Sequence, residues 1–257
     1  MTATTNSSLL KFTNILAFVL TVLVNGLAGS TTILGGKNTA MISDSYPTRV
    51  TPAGYVFSIW GVIYVLLGVF VVYQALPSQQ GKGFQRRMSW LFVLSSVANI
   101  VWLFLWQFEY LALSVLVMFL LLATLILIYL RLDIGKSAVE IRERLAVRLP
   151  FSVYLGWITI ATIADVSVTL VSIKWGGFGI SPETWATLII VVALLITILL
   201  LVTRADVGYA LVIIWALVGI AMNQSGHQVI VMLAGASAVI VAVALVPTVL
   251  VTWLKRR

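Results

Sequence analysis

The chain has 257 residues, of which 61% are apolar and only 9% charged, against roughly 45–50% and about 25% in ordinary soluble domains. That balance excludes a typical soluble enzyme or a disordered regulator, and the absence of cysteine excludes disulfides, a thiolate nucleophile and thiolate-held metal. The formal charge of +8 does not point to nucleic acid, because the charges sit in short connectors between apolar runs.

A membrane-crossing helix takes about 20 mostly apolar residues. Eight runs qualify, at roughly 12–34, 52–75, 88–108, 111–131, 150–173, 183–203, 206–222 and 228–254. The first also has features of a signal peptide, with Lys11 before it and Leu27-Ala28-Gly29-Ser30 as small residues near its end. It is longer than a usual signal core. The connector 35–51 is polar and nearly uncharged; it reads as a lid or as a simple tether. Thr51-Pro52 and Ser181-Pro182-Glu183 place a capping residue before proline at the start of the second and sixth runs, and Pro150 can open the fifth. Leu127-Ile128-Tyr129-Leu130-Arg131 closes the fourth run and fits a degenerate sterol pattern, which an interfacial Tyr and Arg explain as well. The basic connector 131–149 reads as an orientation signal with a short interfacial helix, or as an anionic-lipid contact. Pro247 lies inside the last run and is expected to kink it. Trp90, Trp175, Trp185 and Trp253 fall near run ends, where an aromatic belt is expected. Trp215 is mid-run without an assignment, and His227, the single histidine, reads as a solvated turn residue.

With eight spans both termini share one side. The other side holds only Lys37, Arg49 and Lys174, so the remaining 13 of 16 Lys and Arg residues lie on the side of the termini. The positive-inside rule makes that side cytoplasmic. The expected fold is an all-α polytopic membrane protein with eight transmembrane helices.

Ionisable residues inside a span are costly and are functional candidates by default. Asp165 is the clear case, about eight residues from the outer end of its run, or roughly 12 Å. Asn99 and Trp60 lie at similar depth in two other runs. Helical spacing extends each into a stripe: Phe57, Trp60 and Tyr64; Asn99, Trp102 and Trp106; Tyr154, Trp157, Ala161 and Asp165. Facing inward, the stripes enclose an aromatic cavity with an amide and a carboxyl, a small-molecule site. The same residues also suit plain helix packing, with Asp165 and Asn99 bonded across helices.

The run Thr51-Pro52-Ala53-Gly54-Tyr55-Val56-Phe57-Ser58-Ile59-Trp60-Gly61-Val62-Ile63-Tyr64, continuing to Gly68, resembles the second-helix signature of the TspO/MBR family. These are the tryptophan-rich sensory proteins related to the mitochondrial translocator protein, the peripheral benzodiazepine receptor. Asn99, Trp102 and Trp106 resemble its third-helix pattern. Tyr154, Leu155, Gly156, Trp157, Ala161, Thr162 and Asp165 resemble the fifth. The likeness covers about residues 12–175. It implies a five-helix bundle, often dimeric, with a pocket beneath the first long loop for porphyrins, haem-like tetrapyrroles, sterols or isoquinoline-type drugs. It implies pocket roles for Trp60, Asn99, Trp102 and Trp157, with Phe57 and Tyr64 lining. The chain departs from the family at several points. The first-loop signature is not evident, Ser58 stands where proline is common, and Trp106-Gln107 replaces two phenylalanines. Asp165 stands where an amide is usual, and a further tryptophan after it is missing. Residues 1–175 thus read as a TspO-like core and 176–257 as an added three-helix segment, which leaves homodimerisation open.

The expected function is a membrane receptor or sensor for a flat apolar ligand, a porphyrin or sterol-like molecule, with no cofactor required. The expected setting is a bacterial plasma membrane. The alternative is a proton- or cation-coupled transporter using Asp165. Catalysis is not expected: the chain lacks HExxH, a Ser–His–Asp set and paired intramembrane carboxylates. Light-dependent porphyrin breakdown is the residual enzymatic case.

Overall fold

The computed structural model describes residues 2–254, with side chains described over residues 8–250. Trp253 and the terminal Lys255, Arg256 and Arg257, counted above for the belt and the charge balance, lie outside the described side chains. The described chain is helical, with no strand among the described residues. In order come α1 (Thr2–Ser30), the short α2 (Thr39–Ser45) and α3 (Ile59–Ala75), which a 3-10 turn (Gly54–Ser58) precedes. Then follow α4 (Gly83–Met88), α5 (Leu91–Gln107) and α6 (Leu111–Arg131). The turn α7 (Ile141–Glu143) runs through a π-helical turn (Arg144–Arg148) into α8 (Leu149–Ser172). Last come α9 (Pro182–Arg204), α10 (Val207–Asn223) and α11 (Gln228–Leu254).

Every expected run is helical, within a few residues at its ends except the first, whose helix begins at Thr2 rather than near residue 12 and stops at Ser30 rather than near residue 34. Among the described residues six segments are long and apolar enough to cross a membrane: Ser8–Ser30, Gly54–Ala75, Leu111–Arg131, Ile141–Ser172, Pro182–Arg204 and Gln228–Leu250. The other two, α5 and α10, have 17 residues each, about 25 Å of helix against a hydrocarbon core of about 30 Å.

One helix start differs from expectation. Thr51 does not cap α3; its hydroxyl pairs with that of Thr48 at 2.8 Å, and the helical turn opens at Gly54. Pro150 stands in the first turn of α8, as expected, although α8 continues from helical turns that begin at Ile141 and include a π turn over Arg144–Arg148. Ser181 behaves as expected, its Oγ accepting from the Thr184 N–H at 3.1 Å with Pro182 in the first turn.

Five helices close a ring: α1 packs on α3, α3 on α8, α8 on α6, α6 on α5, and α5 returns to α1. Outside it α10 lies against α8, and α11 packs on both α10 and α9. Close approach of α10 to α8 depends on two glycines. A Cβ on Gly156 would lie 3.2 Å from the Tyr209 carbonyl oxygen, and one on Gly208 would meet Ser152. Without a hydrophobic drive between helices in lipid, such small-residue contacts and cross-helix hydrogen bonds hold the bundle. Asp206 adds one: it caps α10 by accepting from the Tyr209 N–H at 3.1 Å and is hydrogen-bonded to Ser152 of α8.

The inward stripe of α1 is small and polar: Asn14, Ala17, Thr21, Asn25 and Ala28. Asn14 donates to Gln74 at 2.8 Å and Asn25 donates to Asn99 at 2.6 Å. In the basic connector, Arg148 is buried and so departs from the lipid-contact reading. It is turned inward and donates to the Ser137 carbonyl at 2.6 Å and hydroxyl at 2.7 Å, which fixes the loop 132–140.

Candidate functional site

One end of the ring holds a cavity lined by residues from α2, α3, α5 and α8 and the approach to α3: Thr39, Ser43, Pro52, Phe57, Trp60, Trp102, Trp106, Trp157, Ile160, Ala161, Ala164 and Asp165. It is a tight cleft, partly open to solvent, with free space for about one or two waters. Six of the eight expected site residues therefore share one wall. Their rings are mutually packed. Trp60 is edge-on to Trp157 at 6.0 Å and tilted against Trp102 at 6.2 Å; Trp102 stacks on Trp106 at 6.0 Å, and Phe57 is edge-on to Trp157 at 5.9 Å. Such offset and edge geometries suit the ring quadrupoles.

Asp165 is the polar centre of the wall. It is 1% exposed. Its Oδ2 accepts from the Trp102 indole N–H at 3.0 Å, and its Oδ1 lies 2.8 Å from the Ser114 hydroxyl. The Ser114 hydroxyl is also 2.8 Å from the Leu111 carbonyl oxygen, so it can donate to an ionised carboxylate or accept from a protonated one while donating to Leu111. Among the described residues no Lys, Arg or His is paired with Asp165.

Asn99 and Tyr64 stand apart from this wall. Asn99 is fully buried and both ends of its amide are engaged, accepting from Asn25 and donating to the Tyr154 hydroxyl at 3.1 Å. Tyr64 stacks on Trp60 at 5.6 Å and 14°, with its hydroxyl buried and unpartnered. The Trp157 indole N–H, on a side chain 2% exposed, is also unpartnered. An unmet buried donor costs about 1–3 kcal/mol.

The connector 31–53 roofs the cavity, with α2 across it. Asn38 caps α2 by accepting from the Met41 N–H at 2.9 Å. The near half is latched to the turn between α5 and α6. Lys37 pairs with Glu109 at 2.9 Å, the Tyr46 hydroxyl donates to Glu109 at 2.6 Å, and Gln107 donates to the Lys37 carbonyl at 2.9 Å. The Tyr46 hydroxyl and then the Lys37 ammonium hold the Glu109 carboxyl below its usual range, and the same hydrogen bond raises Tyr46. Trp106 donates its indole N–H to the Thr39 carbonyl at 3.3 Å.

The far half of the roof is held by α9, α10 and the turn between α10 and α11. Gln224 donates to the Thr48 carbonyl at 2.9 Å and Asn223 to the Thr51 carbonyl at 3.1 Å. Arg49 pairs with Glu183 at 2.8 Å, and His227 lies 3.6 Å from the same carboxylate. The Ala53 N–H donates to the Gly219 carbonyl at 3.0 Å, an approach that Gly219 permits because a Cβ there would overlap Val56. Trp215 gains a role here: its indole N–H donates to the Val56 carbonyl at 3.1 Å, fixing the turn that leads into α3.

The periodic stripes of α3, α5 and α8 pointed to the wall. They missed Ser114, Asn25 and the roof contacts of Gln107, Asn223 and Gln224. Asn25 carried a signal, an amide inside an apolar run; Ser114 and the glutamines carried none that one sequence displays.

Residues 11–247 match the family model described as TSPO-like protein, a match that runs through the last three helices as well as the five-helix ring. No curated protein and no solved structure matches the chain significantly. The chain belongs to the TSPO-like protein family.

Proposed function

We propose that this chain is a membrane receptor or sensor of TspO type that binds a flat apolar ligand in the aromatic cavity. In this reading all eight long helices cross the membrane, with both termini cytoplasmic. Residues 1–175 form the ligand-binding ring, and residues 176–257 anchor its roof. The observation that carries it is the convergence of Phe57, Trp60, Trp102, Trp106 and Trp157 on one cavity with a single buried carboxyl, Asp165, in its wall. Rings offer stacking to a planar molecule, and few polar groups among many apolar ones is the usual composition of a ligand pocket. The free space between these rings holds only about one or two waters, well below the roughly 300–1,000 Å³ of ligand-filled sites. Any flat ligand, a small ring or a tetrapyrrole, therefore enters only when α2 lifts and the rings move apart. Asp165 favours a neutral or cationic ligand over one whose carboxylate approaches it, because like charges repel strongly at low dielectric.

Titration of the purified protein with protoporphyrin IX, followed by tryptophan quenching and the Soret band, tests this. Saturable binding that Trp60→Leu weakens, in protein that elutes and melts like wild type, is the expected result. Binding that never saturates, or that ignores Trp60→Leu, refutes a tetrapyrrole in this cavity.

A second reading, a proton- or cation-coupled transporter, is favoured by one feature: Ser114 can serve either protonation state of Asp165. Uptake driven by a pH gradient and lost in Asp165→Asn would select it.

A further inference from the structure

At the end of the bundle opposite the roof, two short helical turns meet at Tyr73, near the end of α3. From one side comes α4. Its Phe84 ring stacks on Tyr73 at 6.0 Å, and its Gln85 side chain donates to the Gln74 carbonyl at 3.0 Å. From the other side comes α7, where Arg142 lies with Glu140 and Glu143 within electrostatic reach of the Tyr73 hydroxyl. The π turn that follows packs on α3, and its Arg148 is within electrostatic reach of Arg87 on α4. The corner so formed displays Lys82, Arg86, Arg87 and Arg142 fully exposed and Arg144 half-buried.

The fold does not use these five cations. Among the described residues none of them donates a side-chain hydrogen bond or forms an ion pair. Glu140 and Glu143 share the corner and pair with none of them, although Glu140 and Arg144 stand at the i, i+4 spacing that favours such a pair. Elsewhere the chain does employ its cations. Lys37 and Arg49 at the roof are ion-paired, and Arg148 and Arg204 donate to backbone carbonyls. Next in the chain to the unpaired cations stand Trp90, Ile141 and Leu145, each about half-exposed. A soluble acidic partner has no use for those apolar neighbours. A lipid interface takes both kinds, cationic heads at the phosphates and apolar side chains toward the acyl chains.

We infer that this corner binds the phosphate headgroup of an anionic phospholipid, with α4 and α7 as the two sides of the site. The inference rests on the membrane setting proposed above and not on what the aromatic cavity binds. Its consequence for the bundle follows from connectivity. α4 joins α3 to α5, and α7 with the π turn leads into α8. A headgroup held between them ties together the ends of the three helices that carry Trp60, Trp102 and Trp157. Arg148 takes no part, because its guanidinium is already committed to Ser137.

The test is native mass spectrometry of the full-length protein in a mild detergent, with dioleoyl-phosphatidylglycerol and dioleoyl-phosphatidylcholine supplied together in equal amounts. Wild type is expected to retain phosphatidylglycerol in clear preference. Each Lys or Arg near an anionic surface is worth about fivefold in affinity. The paired change Arg86→Gln with Arg87→Gln, or Arg142→Gln with Arg144→Gln, is therefore expected to lower that preference by roughly tenfold or more. Arg131→Gln with Lys136→Gln removes the same charge at the same end of the bundle but outside the corner, and is expected to change it little. Equal loss in that control pair reduces the effect to diffuse charge and overturns the site, as does an unchanged preference in both corner pairs. Millimolar glycerol 3-phosphate is expected not to displace the lipid; displacement would assign the corner to a soluble phosphate ester instead. Should a corner pair fail to fold, the other decides. Should both fail, wild type decides alone, and equal retention of the two lipids there overturns the inference. No outcome depends on the aromatic cavity, so this inference and the proposed ligand site fail separately.

Discussion

Asp165 offers the sharpest separation of hydrogen bonding from charge. Asp165→Asn and Asp165→Leu both remove the carboxyl and keep similar volume, so the difference between them isolates the polar contacts. In Asp165→Asn the amide oxygen can accept from Trp102, now 3.0 Å from Oδ2. The amide nitrogen can donate to Ser114, whose own proton then goes to the Leu111 carbonyl oxygen at 2.8 Å. Every group keeps a partner. In Asp165→Leu, Ser114 still has Leu111, but the Trp102 N–H is stranded in a residue only 4% exposed. One stranded buried donor costs about 1–3 kcal/mol. For a chain of this size that amounts to a Tm lower by several degrees, at roughly 2–4 °C per kcal/mol. Thermal unfolding in detergent, followed by tryptophan fluorescence, measures it. Equal melting of the two variants would refute the claim that the Trp102–Asp165 contact orders the cavity wall. The same Asp165→Asn protein tests the charge argument. At a separation of about 7 Å and an effective dielectric of about 20, losing one repulsion is worth about 2 kcal/mol, or roughly thirtyfold in affinity. A porphyrin dicarboxylate is expected to bind Asp165→Asn more tightly by up to that factor, and a cationic porphyrin less tightly.

Three further outcomes follow from the roof and the topology. Gln224→Ala removes the 2.9 Å bond to the Thr48 carbonyl; a net loss of about 1 kcal/mol raises the open fraction roughly fivefold, seen as faster hydrogen exchange at residues 48–53 and faster ligand release. The near latch is acid-sensitive. Since Glu109 is held below its usual range, its contribution is present at neutral pH and is lost as pH falls through that lowered value; exchange at residues 37–46 is expected to speed up there in wild type and to be fast and flat with pH in Glu109→Gln. Because the chain has no cysteine, single cysteines report topology cleanly. At the exposed positions Asp44 and Lys174 they are expected to label from outside intact cells, and at Lys82 and Lys136 only after permeabilisation; any exchange between these sets breaks the eight-span topology.

Much of this arrangement was legible in the sequence, and for identifiable reasons. Lipid demands long unbroken apolar helices, so each helix is visible as a run, and α6 coincides with its run at both ends. The tryptophan stripes were legible because helical periodicity places Phe57 with Trp60 and Trp102 with Trp106 on single faces. What stayed hidden depends on partners distant in sequence. Asn99 has the depth of a site residue, yet Asn25 and Tyr154 consume its amide. Pro52 has the look of a helix start, but the helical turn opens only at Gly54, and the Ala53 N–H just before it donates to the Gly219 carbonyl instead. The roof anchors Asn223 and Gln224 lie more than 170 residues from the carbonyls they hold, and local pattern has no access to such pairs.

The most direct test of the aromatic cavity as the binding site is to locate the quenching among the nine tryptophans. Protoporphyrin IX quenching amplitudes would be compared between wild type, Trp157→Phe at the cavity, and Trp175→Phe and Trp185→Phe at the α8–α9 turn, where the two rings lie 5.5 Å apart. The expected result is a clear loss of quenching amplitude and affinity in Trp157→Phe and unchanged affinity in the other two. Unchanged affinity in Trp157→Phe, or loss confined to the α8–α9 turn, would contradict the account.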